Sequence, residues 1–216
     1  MKNLAVFALF LTLSLSSFAQ DVEDWDTNRI HTLFNSNPVR SSGGYGAVTN
    51  KFTSINGQYA NLVEMYGGWF INHRFLLGLS GAAVTNDLPV PAEYAAIPGE
   101  NLSYMYGQFG LKTEYVLGSN RTFHVVFDLM TGAGFTLQYD RYYYREYSGS
   151  HRDRPYNDDW FFVAEPGVQL EVNVFKWMRF ASGYSYRAVY GSSADGLSDS
   201  KLSGNNFNLT LKFGKF

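Results

Sequence analysis

The chain reads as all-β: an eight-stranded antiparallel up-and-down transmembrane β-barrel with short periplasmic turns and longer extracellular loops. Three observations predict it. Apolar residues recur with a period of two along most of the sequence from Ser41 onward, the mark of strands with two unlike faces. Eight such segments can be counted, most about as long as the 9–11 residues of a tilted spanning strand. Their connections divide into tight turns and long links. Composition agrees, with 18% aromatics, 16 Tyr, 18 Phe and 21 Gly, a load suited to β-structure at membrane interfaces.

Taken in order, residues 1–19 form a secretory leader. Lys2 supplies its positive start, Ala5 to Leu15 its short apolar run, and Ser16-Ser17-Phe18-Ala19 the small residues before a cut placed after Ala19. That run is shorter than the roughly 20 residues of a spanning helix. Residues 20–40 are polar and aperiodic and read as a periplasmic N-terminal segment, with the barrel over 41–216. The chain has no cysteine, which excludes disulfides, thiolate metal sites and a cysteine-linked lipid anchor. Net charge is −2, and losing one of the 17 basic residues with the leader leaves 16 against 19 acidic, a charge of −3. Neither value provides the basic excess that nucleic acid would require.

The most regular segment is Trp160 to Val174. One face carries Trp160, Phe162, Ala164, Pro166, Val168, Leu170, Val172 and Val174; the other carries Phe161, Val163, Glu165, Gly167, Gln169, Glu171 and Asn173. Met178 to Tyr190 repeats the pattern, as do Phe123 to Tyr139 and a last segment around Asn206 to Phe213. Gly44 to Thr53, Gln58 to Ile71, Arg74 to Thr85 and Ser103 to Leu117 are less regular and complete the eight. Pro166 lacks the N–H that a closed ladder would use, so a β-bulge is expected there, helped by Gly167.

Tight turns fall at Ile71-Asn72-His73-Arg74, Leu117-Gly118-Ser119-Asn120 and Asn173-Val174-Phe175-Lys176. The intervening links run from Asn86 to Asn101, Asp140 to Asp159 and Gly191 to Gly204; the first link, at Ser54-Ile55-Asn56-Gly57, is short for its place. This asymmetry puts both ends of the barrel on the short-turn side. A soluble lipocalin-like barrel or β-sandwich is the rival. Two features oppose it: the polar faces hold the small residues a narrow interior needs, and the apolar faces end in aromatics such as Trp160, Tyr184, Tyr186 and Tyr190, resembling interfacial girdles.

If the apolar faces meet lipid, the opposite faces gather Glu64, Glu114, Asp128, Glu165 and Glu171 with Lys112, Arg179, Arg187 and Lys212. Buried charges must be paired, so a salt-bridge network filling the barrel is expected, with a narrow pore for small solutes as the alternative. Catalysis has little support. His124 and Asp128 share the interior face and Ser80 could join them, but Gly78-Leu79-Ser80-Gly81 lacks the nucleophile-elbow pattern. No H-E-x-x-H or other metal-ligand spacing occurs, and no cofactor is called for.

The link from Asp140 to Asp159 is a candidate contact surface for an extracellular ligand, with Arg141, Tyr142, Tyr143, Tyr144, Arg145, Tyr147 and Tyr156, since Tyr and Arg are favoured at interface hot spots. A solvated loop extending the aromatic girdle is the competing reading. The link from Asn86 to Asn101, with Pro89, Pro91 and Pro98, is expected to be extended and stiff.

Runs such as Glu165-Pro166-Gly167-Val168-Gln169-Leu170-Glu171, Gly183-Tyr184-Ser185-Tyr186-Arg187 and Ser42-Gly43-Gly44-Tyr45-Gly46 resemble outer-membrane β-barrel proteins of the Bacteroidetes, as does the ending Asn208 to Phe216. More broadly the chain is similar to the eight-stranded barrels typified by OmpX and the OmpA membrane domain. The resemblance implies an outer-membrane location, outer-membrane lipid as surroundings and the barrel-assembly machinery as a partner in biogenesis. It names no activity; some eight-stranded barrels are lipid A-modifying enzymes, which is the remaining alternative. The terminal aromatic resembles an assembly signal, yet Phe216 is out of phase with Phe213, Leu211 and Leu209. Either the signal is read at Phe213 or the register slips.

Overall fold

The computed structural model describes residues 42–119, 121–140 and 156–216. Eight antiparallel strands close on themselves: β1 (Ser42–Ile55), β2 (Gln58–Ile71), β3 (Phe75–Val84), β4 (Leu102–Leu117), β5 (Phe123–Asp140), β6 (Tyr156–Phe175), β7 (Met178–Tyr190) and β8 (Gly204–Lys215). Each pairs with its neighbours in sequence, and β1 pairs with β8 from Gly44↔Lys215 to Phe52↔Phe207. Closure leaves no free edge, so backbone groups in the wall find partners within it.

Local chemistry explains the corners. Asn56 and Gly57 form a two-residue hairpin turn with φ of 52° and 74°, the doubly positive pairing that matches strand twist and that an Asn-Gly dipeptide adopts readily. Asn72 and His73 also take positive φ in the turn before β3. Lys176 and Trp177 join β6 to β7, and residues 118–122 join β4 to β5. These three turns share a rim with the start of β1 and the end of β8. The opposite rim carries Asn56-Gly57, the links 85–101 and 191–203, the end of β5 and the start of β6. Both links contain short helical pieces, a 3-10 turn at Ala92–Tyr94 and α1 (Asp199–Leu202), which period-two reasoning has no means of registering.

The faces follow the alternation. Leu79 is 67% exposed and Leu170 58%, with Met65, Phe109, Leu111, Phe127 and Leu211 also outward. Rings gather towards both rims: Phe175 stacks on Trp177 at 5.5 Å and Trp177 on Phe213 at 6.2 Å near one, while Trp160 meets Phe135 at 5.3 Å and Phe162 meets Tyr190 at 6.4 Å towards the other. An outward apolar belt between aromatic rings is costly in water and favourable in hydrocarbon.

Two details differ from expectation. No bulge occurs at Pro166. Its pairing with Leu129 of β5 is in register, and the β6–β7 ladder resumes at Gly167↔Ser185 in the register it had at Ala164↔Ala188. The strand absorbs the missing N–H by dropping ladder pairs at Glu165 and Pro166, without inserting a residue. Register shifts lie instead at Thr136/Gln138 and Asn173/Phe175. Secondly, β6 begins at Tyr156, so the link before it is shorter than the Asp140 to Asp159 span. β8 does not slip; Phe213 points outward and Phe216 turns to the interior end, its ring 4.9 Å from Tyr45 and 6.4 Å from Phe70.

Candidate functional site: the filled lumen

Alternation aims one side chain in two at the barrel axis, and in eight strands these side chains meet across a narrow interior. The nine charged residues expected there (Glu64, Lys112, Glu114, Asp128, Glu165, Glu171, Arg179, Arg187 and Lys212) are all buried, none more than 6% exposed. Lys51 of β1 joins them at 1%. Five carboxylates therefore face five cations.

The contacts form two linked groups. Nearer the loop rim, Glu165 accepts from Lys51 Nζ at 2.7 Å, Gln108 Nε2 at 2.8 Å, Ser185 Oγ at 2.7 Å and Asn206 Nδ2 at 3.1 Å. Lys51 also reaches Glu64 at 3.0 Å, and Ser80 Oγ donates to Glu64 at 2.5 Å. Lys112 lies 2.5 Å from Asp128 and 4.0 Å from Glu64. Gln169 Nε2 donates to Asp128 at 2.9 Å. Nearer the turn rim, Lys212 bridges Glu114 at 2.8 Å and Glu171 at 2.7 Å. Tyr66 Oη donates to Glu114 at 2.7 Å, and Tyr45 Oη donates to the same carboxylate. Glu171 also meets Arg179 at 2.9 Å and His124 Nε2 at 2.6 Å.

Arg187 is fully buried yet hydrogen-bonds no carboxylate. Its guanidinium donates to the carbonyls of Leu202 at 2.7 Å and Ser54 at 3.2 Å and to Asn206 Oδ1 at 3.4 Å, and lies 5.0 Å from the Tyr106 ring centre. It thereby fastens the link before β8 to the wall. Leu88, Leu197 and Leu202 descend from two loops onto Ile55, Tyr104, Tyr106, Phe161 and Val189, forming an apolar lid over the charges. Gln138 holds the lid's other side, donating to Tyr94 O at 2.9 Å and accepting from Ala96 N at 3.0 Å. At the turn rim Tyr45, Phe70, Leu76, Val116 and Val126 pack with Phe216, over whose ring the Arg179 guanidinium lies at 3.9 Å.

The constellation considered for catalysis is not assembled. Asp128 is engaged by Lys112 and Gln169, His124 by Glu171, and Ser80 by Glu64, so these three residues sit in separate contacts. Among the described residues no group of His, Asp and Glu is arranged to hold a metal ion. Of the candidate contact residues, Arg141, Tyr142, Tyr143, Tyr144, Arg145 and Tyr147 lie outside the described residues; Tyr156 opens β6, where it pairs with Gln138.

Sequence reasoning missed Lys51, Tyr45 and Tyr66. The available signal was the Asn56-Gly57 turn: once it fixes the hairpin, Lys51 falls opposite Leu62 and Thr49 opposite Glu64, on one face.

A closed antiparallel eight-stranded barrel with an apolar exterior and a charged, side-chain-filled interior belongs to the architectural class of small outer-membrane barrels. Among solved structures, neisserial surface protein A is 11% identical, with 81% of this chain and 97% of that one covered and a TM-score of 0.51. The attachment invasion locus protein Ail of Yersinia pestis, solved with the heparin analogue sucrose octasulfate, is 10% identical, covering 80% of this chain and 97% of its own, with a TM-score of 0.47. The outer membrane protein OprG of Pseudomonas aeruginosa is 14% identical over 80% and 93%, with a TM-score of 0.40. At 11% identity the likeness to neisserial surface protein A is one of fold. No family model and no curated protein matches the sequence.

Proposed function

We propose that this chain is an outer-membrane barrel that works as a rigid, non-conducting support for an extracellular contact surface, and that it is not an enzyme. The observation carrying this reading is the lumen. Five acids and five cations occupy it in mutual or backbone contacts, beneath a lid of Leu88, Leu197 and Leu202. Emptying such an interior to pass solutes would strip paired charges of their partners, at several kcal/mol for each pair. With the lumen closed, interaction falls to the loops. The contact surface is Arg141 to Tyr147 together with Tyr156, and its ligand is extracellular.

In the same reading residues 1–19 are removed after Ala19, residues 20–40 lie in the periplasm, and the barrel-assembly machinery reads the outward Phe213. The turn rim faces the periplasm. The runs around Glu165 and Gly183 associate the chain with barrels of the Bacteroidetes.

The test uses purified, refolded protein in planar bilayers. It should give no discrete conductance steps; regular steps would overturn the support reading. Deleting residues 142–156 should leave heat-modifiable electrophoretic mobility intact while abolishing any surface binding by expressing cells. Unchanged binding would remove the loop from the proposal.

A further inference from the structure

Among the described residues, the charges outside the lumen are sorted by rim. On the rim where β1 begins and β8 ends, the described charged side chains are Arg74, Arg121, Lys176 and Lys215, all exposed, with no Asp or Glu beside them. The opposite rim carries Asp87, Glu93, Glu100, Asp140, Asp158, Asp159, Asp195 and Asp199, with Lys201 as its cation among the described residues. The four cations are evenly placed: one at each of the β2–β3, β4–β5 and β6–β7 turns, one at the end of β8, hence one for every two strands around the ring.

Each also has an outward aromatic next to it. Arg74 precedes Phe75, Arg121 lies two residues before Phe123, Lys176 sits between Phe175 and Trp177, and Lys215 follows Phe213 by two. Rings of this kind settle at the level of lipid headgroups, and long cationic side chains beside them reach outward from the hydrocarbon edge to the phosphates. None of the four takes part in an ion pair among the described residues. Their charge is available to a partner outside the chain.

We infer that this rim binds the phosphate headgroups of anionic phospholipids in the leaflet it faces, with four cations spaced so that several lipids are held at once. The inference rests on the membrane reading above. Phosphate suits these residues because two arginines offer paired donors and two lysines point charges, and among the described residues no Asp or Glu side chain on the rim competes for them. An attraction of about 1 kcal/mol per cation near such a surface corresponds to about a fivefold preference each.

The test is native mass spectrometry of the full folded barrel in micelles doped equally with phosphatidylglycerol and phosphatidylcholine. The wild-type chain should retain phosphatidylglycerol at least about fivefold over phosphatidylcholine, a preference that collapses in 0.5 M salt as screening shortens to a few ångströms. The R74Q/R121Q/K176Q/K215Q protein should lose it, whereas K201Q on the opposite rim should keep it. Equal retention of the two lipids by wild type, or a preference that survives the four substitutions, overturns the inference. Heat-modifiable folding into pure phosphatidylcholine vesicles is measured beside it. If neither protein inserts there, the membrane reading itself fails; if both insert with no lipid preference, only the rim inference does.

Discussion

Removing the Glu165 carboxylate tests whether the lumenal charges act as one network. Glu165→Leu deprives Lys51 of a partner at 2.7 Å and leaves the donors of Gln108 and Ser185 without their acceptor, while Asn206 Nδ2 keeps only Ser185 Oγ at 3.2 Å. Stranding one member of a buried pair costs about 3–5 kcal/mol. Lys51 keeps Glu64 at 3.0 Å, so the lower end, about 3 kcal/mol, is expected. Lys51→Met leaves Glu165 with neutral donors and Glu64 with Ser80 and the Lys112 ammonium at 4.0 Å, again at about 3 kcal/mol. In the double variant neither charge is stranded, so the combined loss should fall short of the sum by at least about 1 kcal/mol. Urea unfolding from lipid vesicles, followed by emission of the outward Trp69, Trp160 and Trp177, measures all three. Additive losses, or single losses below about 1 kcal/mol, would refute the network account.

Three further outcomes are expected. Leu170→Arg, in the outward belt, should cost about 2–4 kcal/mol in a bilayer by the same unfolding assay; a cost near zero would contradict lipid contact at that position. Gly167→Ala places a Cβ 2.7 Å from Asp128 Oδ2, an atom already held by Gln169, so overpacking should cost about 1–3 kcal/mol, and wild-type stability would show that the carboxylate swings freely. Asp159→Ala removes the acceptor that binds Ser193 N at 2.8 Å, Ala194 N at 3.1 Å and Ser192 Oγ at 3.1 Å; hydrogen exchange at the 193 and 194 amides should accelerate roughly tenfold while the strand amides are unaffected.

Much of the fold was legible because a membrane barrel writes its two solvents into alternate residues. Trp160 to Val174 shows this best: every second side chain is apolar and outward, and Glu165, Gln169 and Glu171 between them are buried. The less regular β1 shows where the method thins. Its outward positions include Gly44 and Gly46, which carry no polarity signal, while Tyr45 and Ala47 point inward, so neither face announces itself and Lys51 escapes notice. Pairing was not legible at all. Lys51 with Glu165, or Lys212 with Glu114, depends on which side chains share a height across the lumen, and that follows from stagger rather than from any local pattern. The helical pieces of the lid were hidden for a related reason: Leu88, Leu197 and Leu202 are isolated apolar residues in polar links, and only the mouth they cover gives them a role.

Some of these contacts join neighbouring strands, as Lys112 on β4 with Asp128 on β5 and Arg179 on β7 with Glu171 on β6, but two cross the ring: Lys51 on β1 meets Glu165 on β6, and Lys212 on β8 meets Glu114 on β4. No hairpin contains such a pair, so none can form while the sheet is still open and growing. The cross-ring contacts appear only when β8 reaches β1, and thereafter they resist its departure. They are a latch on closure, and their loss should be felt in time: variants at Lys51, Glu114 or Glu165 should assemble at nearly the wild-type rate and open much faster, with the loss of stability falling on the unfolding arm.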